Sequence, residues 1–187
     1  MTVLLKQTRS ALVRVRDVYD RRSHPIRRER IRDVIRHSGS GPITFVCLGN
    51  ICRSPYAEWR ARRLAPGVPF RSAGFISPGR PPPEKALRSA LDRGLDHALH
   101  RSRELTAEDV EASALFIVFD RLNVKRLKDV PCVDTRRVVW LGDLDPIWSG
   151  KRAIVDPWGR DQHFFDQTFG RIDRCVEALT YSINGRD

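Results

Sequence analysis

Residues 43–64 read ITFVCLGNICRSPYAEWRARRL, and the organisation of the whole chain can be worked out from this segment. Its first four residues, Ile43-Thr44-Phe45-Val46, form a short apolar run of the kind that makes a buried strand. From Ser54 to Leu64 small and apolar side chains recur at helical spacing, which predicts a helix. Because a short loop joins the strand directly to the helix, the segment is typical of a parallel sheet with helices packed on its faces.

Three further apolar segments predict the remaining strands of this sheet. They are Phe70–Ala73, Ala114–Phe119 and Val138–Leu141, of which the second is the most strongly apolar. Helices are predicted from about Pro83 to Leu91 and, near the C-terminus, through Phe165 to Ile183. The alternation of strands and helices indicates right-handed crossovers and an α/β fold of three layers, with a four-stranded parallel sheet between helices.

Ligands of such sheets bind at the carboxyl ends of the strands, so we expect functional residues directly after Val46, Phe119 and Leu141. The first of these strand ends carries Cys47 and Arg53, with five residues between them. A loop of this length can turn its backbone N–H groups inward at the start of a helix, which forms a nest for an anion such as phosphate. The same field stabilises a thiolate at Cys47, and the guanidinium of Arg53 can donate two parallel hydrogen bonds to phosphate oxygens.

Other residues of the loop suit the same chemistry. Gly49 would permit a backbone conformation with positive φ, and Asn50 tolerates the left-handed region or can bind neighbouring groups through its amide. Ser54 would hydrogen-bond the sulfur of Cys47 and help it to leave when a phosphocysteine is hydrolysed.

Two other interpretations of the cysteine and arginine were considered. A bare Cys-x5-Arg pair also arises by chance, in which case Cys47 is an inert buried thiol and Arg53 faces solvent from a helix. A zinc site is not indicated, because Cys52 follows Cys47 too distantly, and Cys132 and Cys175 lie too far away, to form the paired ligands that such sites require.

The composition of the chain restricts its class. The 187 residues are 41% hydrophobic and 30% charged, as in one globular domain with a short appendage. A formal net charge of +11 favours anionic partners such as nucleic acid, acidic lipid, phosphate esters or acidic proteins. We expect a cytoplasmic protein, because no apolar run approaches the roughly 20 residues of a membrane span, no secretory signal is recognisable, and four cysteines do not make a disulfide framework.

Much of the positive charge lies in residues 1–42, which hold eleven basic and four acidic residues, a net of +7. We predict a basic helical N-terminal arm and linker over residues 1–42 and a compact domain over residues 43–187. Helical spacing in the arm predicts two short amphipathic helices interrupted at Ser23-His24-Pro25, and Ser38–Pro42 is expected to be a flexible joint. The simplest expectation is a helical extension that is exposed to solvent and packs partly on the core through its few aliphatic side chains. Nucleic-acid binding is not expected, because the arm carries no recognisable binding motif.

The segment Val46–Pro55, with Ala57-Glu58 after it, resembles the phosphate loop of the low-molecular-weight protein tyrosine phosphatases at nearly every position. Further similarities follow in the order in which that family has them: Ser72-Ala73-Gly74, His100-Arg101-Ser102-Arg103, Phe119-Asp120 with Asn123 and Leu127, and Asp156-Pro157-Trp158-Gly159. The resemblance covers about residues 43 to 183. Several motifs in the same order are far more specific than the loop alone.

This resemblance implies a four-stranded parallel sheet flanked by helices and a hydrolysis of phosphate monoesters in two steps through a phosphocysteine. It makes Cys47 the nucleophile and Arg53 the clamp for the phosphate. Asp156 would protonate the leaving phenolate and then act as the base that activates water. No metal or cofactor is needed. Asp145, in a second Asp-Pro pair, is a weaker candidate for the acid.

The resemblance also assigns the residues around the nucleophile. Those expected to bind substrate are Leu48, Gly49, Asn50, Ile51, Cys52, Ser54 and Trp158. Trp158, with Leu48 opposite, would pack against the phosphotyrosine ring. Ser72 and His100 would support the shape of the loop, and Cys52 resembles the second cysteine that can form a protective disulfide with the nucleophile.

Three other functions are compatible with parts of the pattern. Thioredoxin-coupled arsenate reductases share the loop and the fold, but they need two further cysteines after the third strand, and residues 120–126 contain none. Protein-arginine phosphatases keep a threonine where this chain has Ile51, and isoleucine has no hydroxyl to address a guanidinium. A non-catalytic anion-binding or scaffold protein centred on the arm is the third, although the chain retains Cys47, Arg53 and Asp156.

The expected substrate is a phosphotyrosine protein. Bacterial relatives of the family often act on autophosphorylated tyrosine kinases, so the resemblance makes a bacterial tyrosine kinase the expected partner. The basic arm would then bring the enzyme to an anionic membrane surface or to an acidic partner.

Overall fold

A four-stranded parallel sheet forms the centre of the fold. The computed structural model describes residues 2–185, with side chains from residue 18 onward. Its strands are β1 (Ile43–Val46), β2 (Phe70–Ala73), β3 (Leu115–Val118) and β4 (Val138–Trp140), in the order β2-β1-β3-β4. The predicted fold class and all four predicted strands are confirmed, each strand to within one residue at either end.

Helices cover both faces of the sheet. The α-helices within residues 2–185 are α1 (Thr2–Arg36), α2 (Arg53–Leu64), α3 (Glu84–Leu91), α4 (Ala107–Ala112), α5 (Arg121–Lys128) and α6 (Gln162–Ile183). Helices α1, α2, α3 and α6 contribute to the large hydrophobic core on one face, and α4 and α5 contribute Val110 and Leu127 to a smaller core on the other. The result is the predicted three-layer arrangement.

The position of β1 explains its composition and the location of the functional loop. β1 pairs with β2 on one side and β3 on the other, and all four of its residues are buried. Phe45 belongs to the large core, whereas Val46 belongs to the small one, so both faces of the strand need apolar side chains. Val46 lies opposite Ala73 and Val118, which brings the carboxyl ends of the three strands to the same edge.

Two short helices, α4 and α5, were missed by hydrophobic periodicity. They have six and eight residues, and capping side chains start both of them. Thr106 and Asp109 form a reciprocal capping box at α4. Asp120 caps α5 by accepting a hydrogen bond from the backbone N–H of Asn123 at 2.8 Å. α4 is too short to show a helical period, and among the apolar side chains of α5 only Leu127 is buried, so neither helix gives a clear periodic signal.

Helix α1 departs from the predicted secondary structure. The prediction of two helices interrupted at Ser23-His24-Pro25 was wrong, because one helix continues through Pro25. A proline inside a helix lacks one N–H and crowds the carbonyl group one turn earlier. In the turn before Pro25, the Ser23 hydroxyl donates to the Tyr19 carbonyl at 2.6 Å, and the Arg27 guanidinium donates to the Asp20 carbonyl at 3.0 Å. These side-chain bonds tie down the turn before Pro25, but they do not replace the bond that Pro25 cannot donate, which would go to the carbonyl of Arg21.

The second half of α1 packs on the core, as its aliphatic side chains predicted. Ile31 and Ile35 are 9% and 3% exposed and belong to the large hydrophobic core. His24 is also buried, with its ring 5.1 Å from that of Trp148. Despite its length, α1 carries too much charge for a bilayer interior, and none of the helices in residues 2–185 combines the length and the apolarity of a membrane span.

His97 is buried with no hydrogen-bond partner among the described residues. It is 1% exposed, and neither of its ring nitrogens is bonded. The ring packs edge-on against Tyr56, with 6.3 Å between the ring centroids. Burial, together with the nearby His100, lowers the pKa of His97 to about 4. His97 is therefore neutral in the folded protein at pH 7.

This neutral histidine predicts a loss of stability in mild acid. Its ordinary pKa of 6.5 applies to the unfolded chain, which therefore binds a proton between pH 6.5 and about 4 that the folded chain does not. The free energy of unfolding should fall across this window by up to about 3 kcal/mol from this group. His97→Leu should reduce the fall, measured by urea denaturation at pH 7 and pH 4.5. The exposed His163→Leu is the control and should keep the native pH dependence; an equal fall in His97→Leu would contradict the prediction.

Candidate active site

The loop between β1 and α2 places a cysteine at the edge of the sheet. Cys47 follows β1 directly and is 3% exposed, and the loop ends where α2 begins at Arg53. The sulfur of Cys47 lies 3.0 Å from the hydroxyl oxygen of Ser54, in the first turn of α2. The hydrogen bond predicted between these two side chains is present.

Asn50 is the centre of the hydrogen bonds that hold the loop. Its backbone has a φ of 49°, the left-handed conformation that asparagine tolerates. Its side-chain nitrogen donates to the hydroxyl groups of Ser54 and Ser72, both at 2.9 Å, and its side-chain oxygen accepts the backbone N–H of Arg103 at 3.0 Å. The backbone carbonyl of Asn50 lies 2.8 Å from Nε2 of His100. Ser72 and His100 thus contact the loop as expected.

These bonds also hold the Ser54 hydroxyl beside the sulfur of Cys47. Ser72 donates to the Glu58 carboxylate at 2.5 Å and therefore accepts from Asn50. Ser54 likewise accepts from Asn50, and its own hydrogen can point to the sulfur of Cys47 at 3.0 Å or to the Ala73 carbonyl at 3.5 Å. When Cys47 is ionised, its sulfur carries no hydrogen, so Ser54 is then the donor of the bond to sulfur. A hydrogen bond donated to sulfur stabilises the thiolate. Burial raises the pKa of Glu58, partly opposed by the hydrogen bond from Ser72.

The glycines near the loop have roles different from the predicted one. Gly49 does not adopt a positive φ, so that prediction was wrong; the left-handed residue is Asn50. A Cβ at Gly49 would instead meet the guanidinium of Arg80 at 2.7 Å. At Gly74, which follows β2, a Cβ would lie 2.9 Å from the backbone nitrogen of Asn50 and 3.0 Å from the carbonyl oxygen of Leu48. Gly74 is required because the loop packs directly on its backbone.

Arg53 is buried between two carboxylates. Its side chain is 1% exposed; one terminal nitrogen donates to Asp120 at 2.6 Å and to the Ile154 carbonyl at 2.9 Å, and the other donates to Asp156 at 2.6 Å. Burial opposes the charge, but Asp156, Cys47 and Asp120 together raise the pKa of Arg53. Its Nε is buried and makes no hydrogen bond to the described residues. Arg53 therefore keeps one donor, its Nε, that is not bonded to the described residues, and Cys47 lies near enough to affect the pKa of this guanidinium.

The structure separates the two candidate acids. Asp156 lies at the loop, with one carboxylate oxygen on Arg53 and the other accepting the backbone N–H of Trp158 at 3.2 Å. Asp145 is fully buried elsewhere and is bonded to Arg171 and Arg174. Asp145 therefore holds two arginines and is not placed to donate a proton at Cys47.

The expectation about strand ends is met at two of the three positions. Cys47 follows β1, and Asp120, which binds Arg53, lies two residues after the end of β3. The turn after β4, Leu141–Leu144, instead carries the buried Asp143, whose partners are Arg27 and Arg152. Asp120 is one of the residues that carry the family resemblance, but its local sequence does not indicate that Arg53 lies beside it, so the sequence predicts no role for it.

A cavity of about 130 Å³ opens onto the loop. Its lining residues are Cys47, Leu48, Gly49, Ile51, Cys52, Ile76, Arg80, Asp156 and Trp158. Trp158 is 59% exposed at the mouth, as an aromatic wall for a substrate would be. Asn50 and Ser54, which were expected to bind substrate, are fully buried and do not line the cavity. Arg80 and Ile76 were missed, because they come from the Pro-rich connection after β2, whose path the sequence does not indicate.

The family model for low molecular weight phosphotyrosine protein phosphatase matches residues 42–186. The chain belongs to the low-molecular-weight protein-tyrosine-phosphatase family. The phosphatase Ptp of Acinetobacter johnsonii is 34% identical over 142 residues, which are 75% of this chain and 96% of that protein. A low-molecular-weight phosphotyrosine phosphatase of Vibrio cholerae O395 has a solved structure that covers 77% of this chain and 97% of its own, with a TM-score of 0.71 and 26% identity. The chain is thus an enzyme of the protein-tyrosine-phosphatase class.

A second branch of related enzymes is also similar to this chain. The structure of a YwlE arginine phosphatase with a phosphorylated active-site serine covers 78% of this chain and 97% of its own, with a TM-score of 0.68 and 25% identity. The family match begins after α1, at residue 42. The whole of α1 therefore lies outside the residues that the family model matches.

The close packing of the phosphatase loop on Gly74 predicts a sensitive position. Gly74→Ala should displace the backbone at Leu48 and Asn50 and lower kcat/KM for para-nitrophenyl phosphate by about 10- to 100-fold, because catalytic geometry tolerates little misplacement. Gly67→Ala is the matched control, since a Cβ there meets nothing within 4 Å and the backbone has no positive φ. Equal kinetics of the two variants, both folded by circular dichroism, would show that the contact does not shape the loop.

Proposed function

We propose that the protein hydrolyses phosphotyrosine in proteins through a phosphocysteine intermediate, with Cys47 as nucleophile, Arg53 as phosphate clamp and Asp156 as general acid and base. The observation that carries this proposal is the convergence of three groups at one small cavity. Cys47 and Asp156 both line it, and Arg53 is bonded to Asp156 at 2.6 Å. The shared hydrogen bond between Cys47 and Ser54 adds the means to stabilise a thiolate.

In the first step, the thiolate of Cys47 attacks phosphorus in line with the tyrosine oxygen. The sulfur–phosphorus bond forms while the bond from phosphorus to the phenolic oxygen breaks, and the carboxylic acid of Asp156 donates its proton to that oxygen. Negative charge spreads over the three remaining phosphoryl oxygens, to which the loop amides and Arg53 donate hydrogen bonds. Asp120 keeps hold of Arg53 while Asp156 acts.

The second step regenerates the thiolate. The carboxylate of Asp156 takes a proton from a water molecule, whose oxygen attacks phosphorus and displaces the sulfur of Cys47 as a thiolate. The Ser54 hydroxyl, which Asn50 holds beside that sulfur, donates a hydrogen bond to the leaving thiolate and stabilises it. Inorganic phosphate is then released, and Asp156 is protonated for the next cycle.

Phosphotyrosine is favoured as the substrate by the walls of the cavity. Leu48, Ile51, Ile76 and Trp158 are apolar surfaces suited to an aromatic ring, whose phosphate would then reach Cys47. Phosphoarginine is the second candidate, in view of the similarity to the YwlE arginine phosphatase. Ile51 is 6% exposed and lines the cavity, where it offers no hydroxyl to a guanidinium.

The proposal also covers the protein substrate of the enzyme and the boundary between its N-terminal arm and its catalytic unit. We assign the catalytic unit to residues 43–187 and treat residues 1–42 as an added arm; the family match from residue 42 supports this division. A phosphorylated bacterial tyrosine kinase is the proposed protein substrate, on the family resemblance alone. The net charge of the arm is the sole support for its binding to an anionic membrane surface or an acidic partner.

Substitutions at the nucleophile and the acid test the mechanism. With para-nitrophenyl phosphate and a reductant, Cys47→Ser should abolish turnover, because serine is not ionised at neutral pH. Asp156→Asn should lower kcat by about 10²- to 10⁴-fold, since general acid–base catalysis is lost. Cys132→Ser, at an exposed cysteine outside the cavity, is the control and should retain native activity. Native turnover in Cys47→Ser would rule out the phosphocysteine route.

A comparison of two substrates tests the assignment to phosphotyrosine. The native enzyme should hydrolyse a phosphotyrosine peptide with a kcat/KM at least about tenfold above that for a phosphoarginine peptide of the same sequence, because a missing hydrogen-bond partner discriminates strongly. Ile51→Thr should narrow this ratio, and Ile51→Val, which matches threonine in shape without its hydroxyl, should not. A native preference for phosphoarginine would favour the second candidate.

A further inference from the structure

Arg27 links the added helix α1 to a buried carboxylate in the phosphatase domain. Its Nε lies 3.1 Å from one oxygen of Asp143, and Arg152 binds the other oxygen of that carboxylate at 2.6 and 2.7 Å. The side chain of Asp143 is fully buried. A buried carboxylate needs such partners, because its charge has lost the stabilisation by water. Asp143 therefore joins α1 to the segment that contains Arg152.

Arg27 is itself held in one conformation by its own helix. Its terminal nitrogens donate to the Ser23 hydroxyl at 2.5 Å and to the Asp20 carbonyl at 3.0 Å, while Nε reaches across to Asp143. Only 17% of the side chain is exposed. The guanidinium thus acts as a rigid connection between α1 and the domain rather than as a surface charge.

The segment 151–154 is tightly held along its length. Arg171 donates to the backbone carbonyls of Lys151 and Ala153, and a Cβ at Gly142 would collide with the carbonyl of Arg152. At its end, the Ile154 N–H donates to the carbonyl of Phe119 at 2.8 Å.

The same segment leads directly to the catalytic groups. The carbonyl of Ile154 accepts a hydrogen bond from Arg53 at 2.9 Å, and Asp156 follows two residues later. Asp156 is 37% exposed and, within the described residues, is bonded only to Arg53 and to the backbone of Trp158, in its own loop. Its position therefore depends on the backbone that precedes it.

We propose that Arg27 is a positioning residue for the general acid, acting through Asp143 and Arg152 on the segment that carries Asp156. Helix α1 is thereby a working part of the phosphatase and not merely an attached arm. This inference rests on the role proposed above for Asp156. Loss of Arg27 leaves one oxygen of the buried Asp143 without its partner, and we expect the carboxylate to reorient together with Arg152, which binds its other oxygen. Because the segment that contains Arg152 is held at several points, we expect it to move as a unit and to carry Asp156 with it. The proton donor is then misplaced, whereas Cys47 and its loop, which are held by Asn50 and Gly74, are not.

The dependence of the rate on the leaving group tests this proposal. Phenyl phosphate needs a proton on its leaving oxygen, and 2,4-dinitrophenyl phosphate does not, so the ratio of their kcat/KM values reports the position of the acid. In Asp156→Asn the preference for the dinitrophenyl ester should rise by about 100-fold or more. In Arg27→Met it should rise by about tenfold, because the acid is present but misplaced. Arg30→Met, at an exposed arginine of the same helix, is the matched control and should keep the native ratio.

Two further variants keep the test decisive. Arg152→Met removes the other partner of Asp143 and should raise the ratio of kcat/KM for the dinitrophenyl ester to that for the phenyl ester by about the same factor as Arg27→Met. If Arg27→Met does not fold, Arg152→Met takes its place in the test. Arg27→Lys should lie between Arg27→Met and the native enzyme, since lysine restores the charge without the planar fork. An equal loss of kcat/KM for both esters in Arg27→Met and Arg152→Met, or no loss, would overturn the proposal. If the native enzyme cleaves neither ester, or Asp156→Asn keeps the native ratio, the proposed function itself fails.

Discussion

The buried positive charge of Arg53 is the constraint on which the site depends. At 1% exposure its guanidinium has almost no contact with water, so the protein must supply the partners that stabilise it. Those partners come from distant parts of the chain: Asp120 after β3, and Ile154 and Asp156 from the connection before α6. One residue in the first turn of α2 therefore draws two other loops to the edge of the sheet.

Neutral hydrogen bonds, rather than charges, give the phosphate loop its shape. Asn50 uses its side-chain nitrogen, its side-chain oxygen and its backbone carbonyl on four different partners, and its left-handed backbone turns the loop. This leaves the positive field of the loop available to an anion. It also orients Ser54 toward Cys47, so the network that shapes the loop serves the nucleophile as well.

Helix α1 shows how an added segment becomes part of a domain. Ile31 and Ile35 extend the large core, and Arg27 completes the environment of the buried Asp143. Apolar packing stabilises the contact between α1 and the domain without favouring one orientation, whereas the hydrogen bonds of Arg27 are directional and fix the orientation of the helix. Together they connect α1 to the backbone that leads to Asp156.

The sequence by itself determined what depends on neighbouring residues. Local apolar patterns predict the four strands and the helices α2, α3 and α6. The length of the loop after β1 predicts that Cys47 and Arg53 lie at its two ends. Periodicity and loop length are local properties, so the sequence suffices for both. The contact between the side chains of Ser54 and Cys47 belongs to the same class, whereas the sequence left open which loop residue is left-handed and favoured Gly49 over Asn50. The family resemblance added Asp156, which no local pattern distinguishes from Asp145.

Only the tertiary structure decided the features that need a partner far along the chain. Periodicity interrupted at Pro25 predicted two helices, but a single helix continues through Pro25, and its second half packs on the core through Ile31 and Ile35. Asp120 and Arg80 look like ordinary surface charges in the sequence, and Asp143 and Asp145 look like turn residues. Their roles depend on which arginine or backbone lies opposite, and that is set when the chain folds around the sheet, since ion pairs and hydrogen bonds act over a few ångströms of space rather than over sequence.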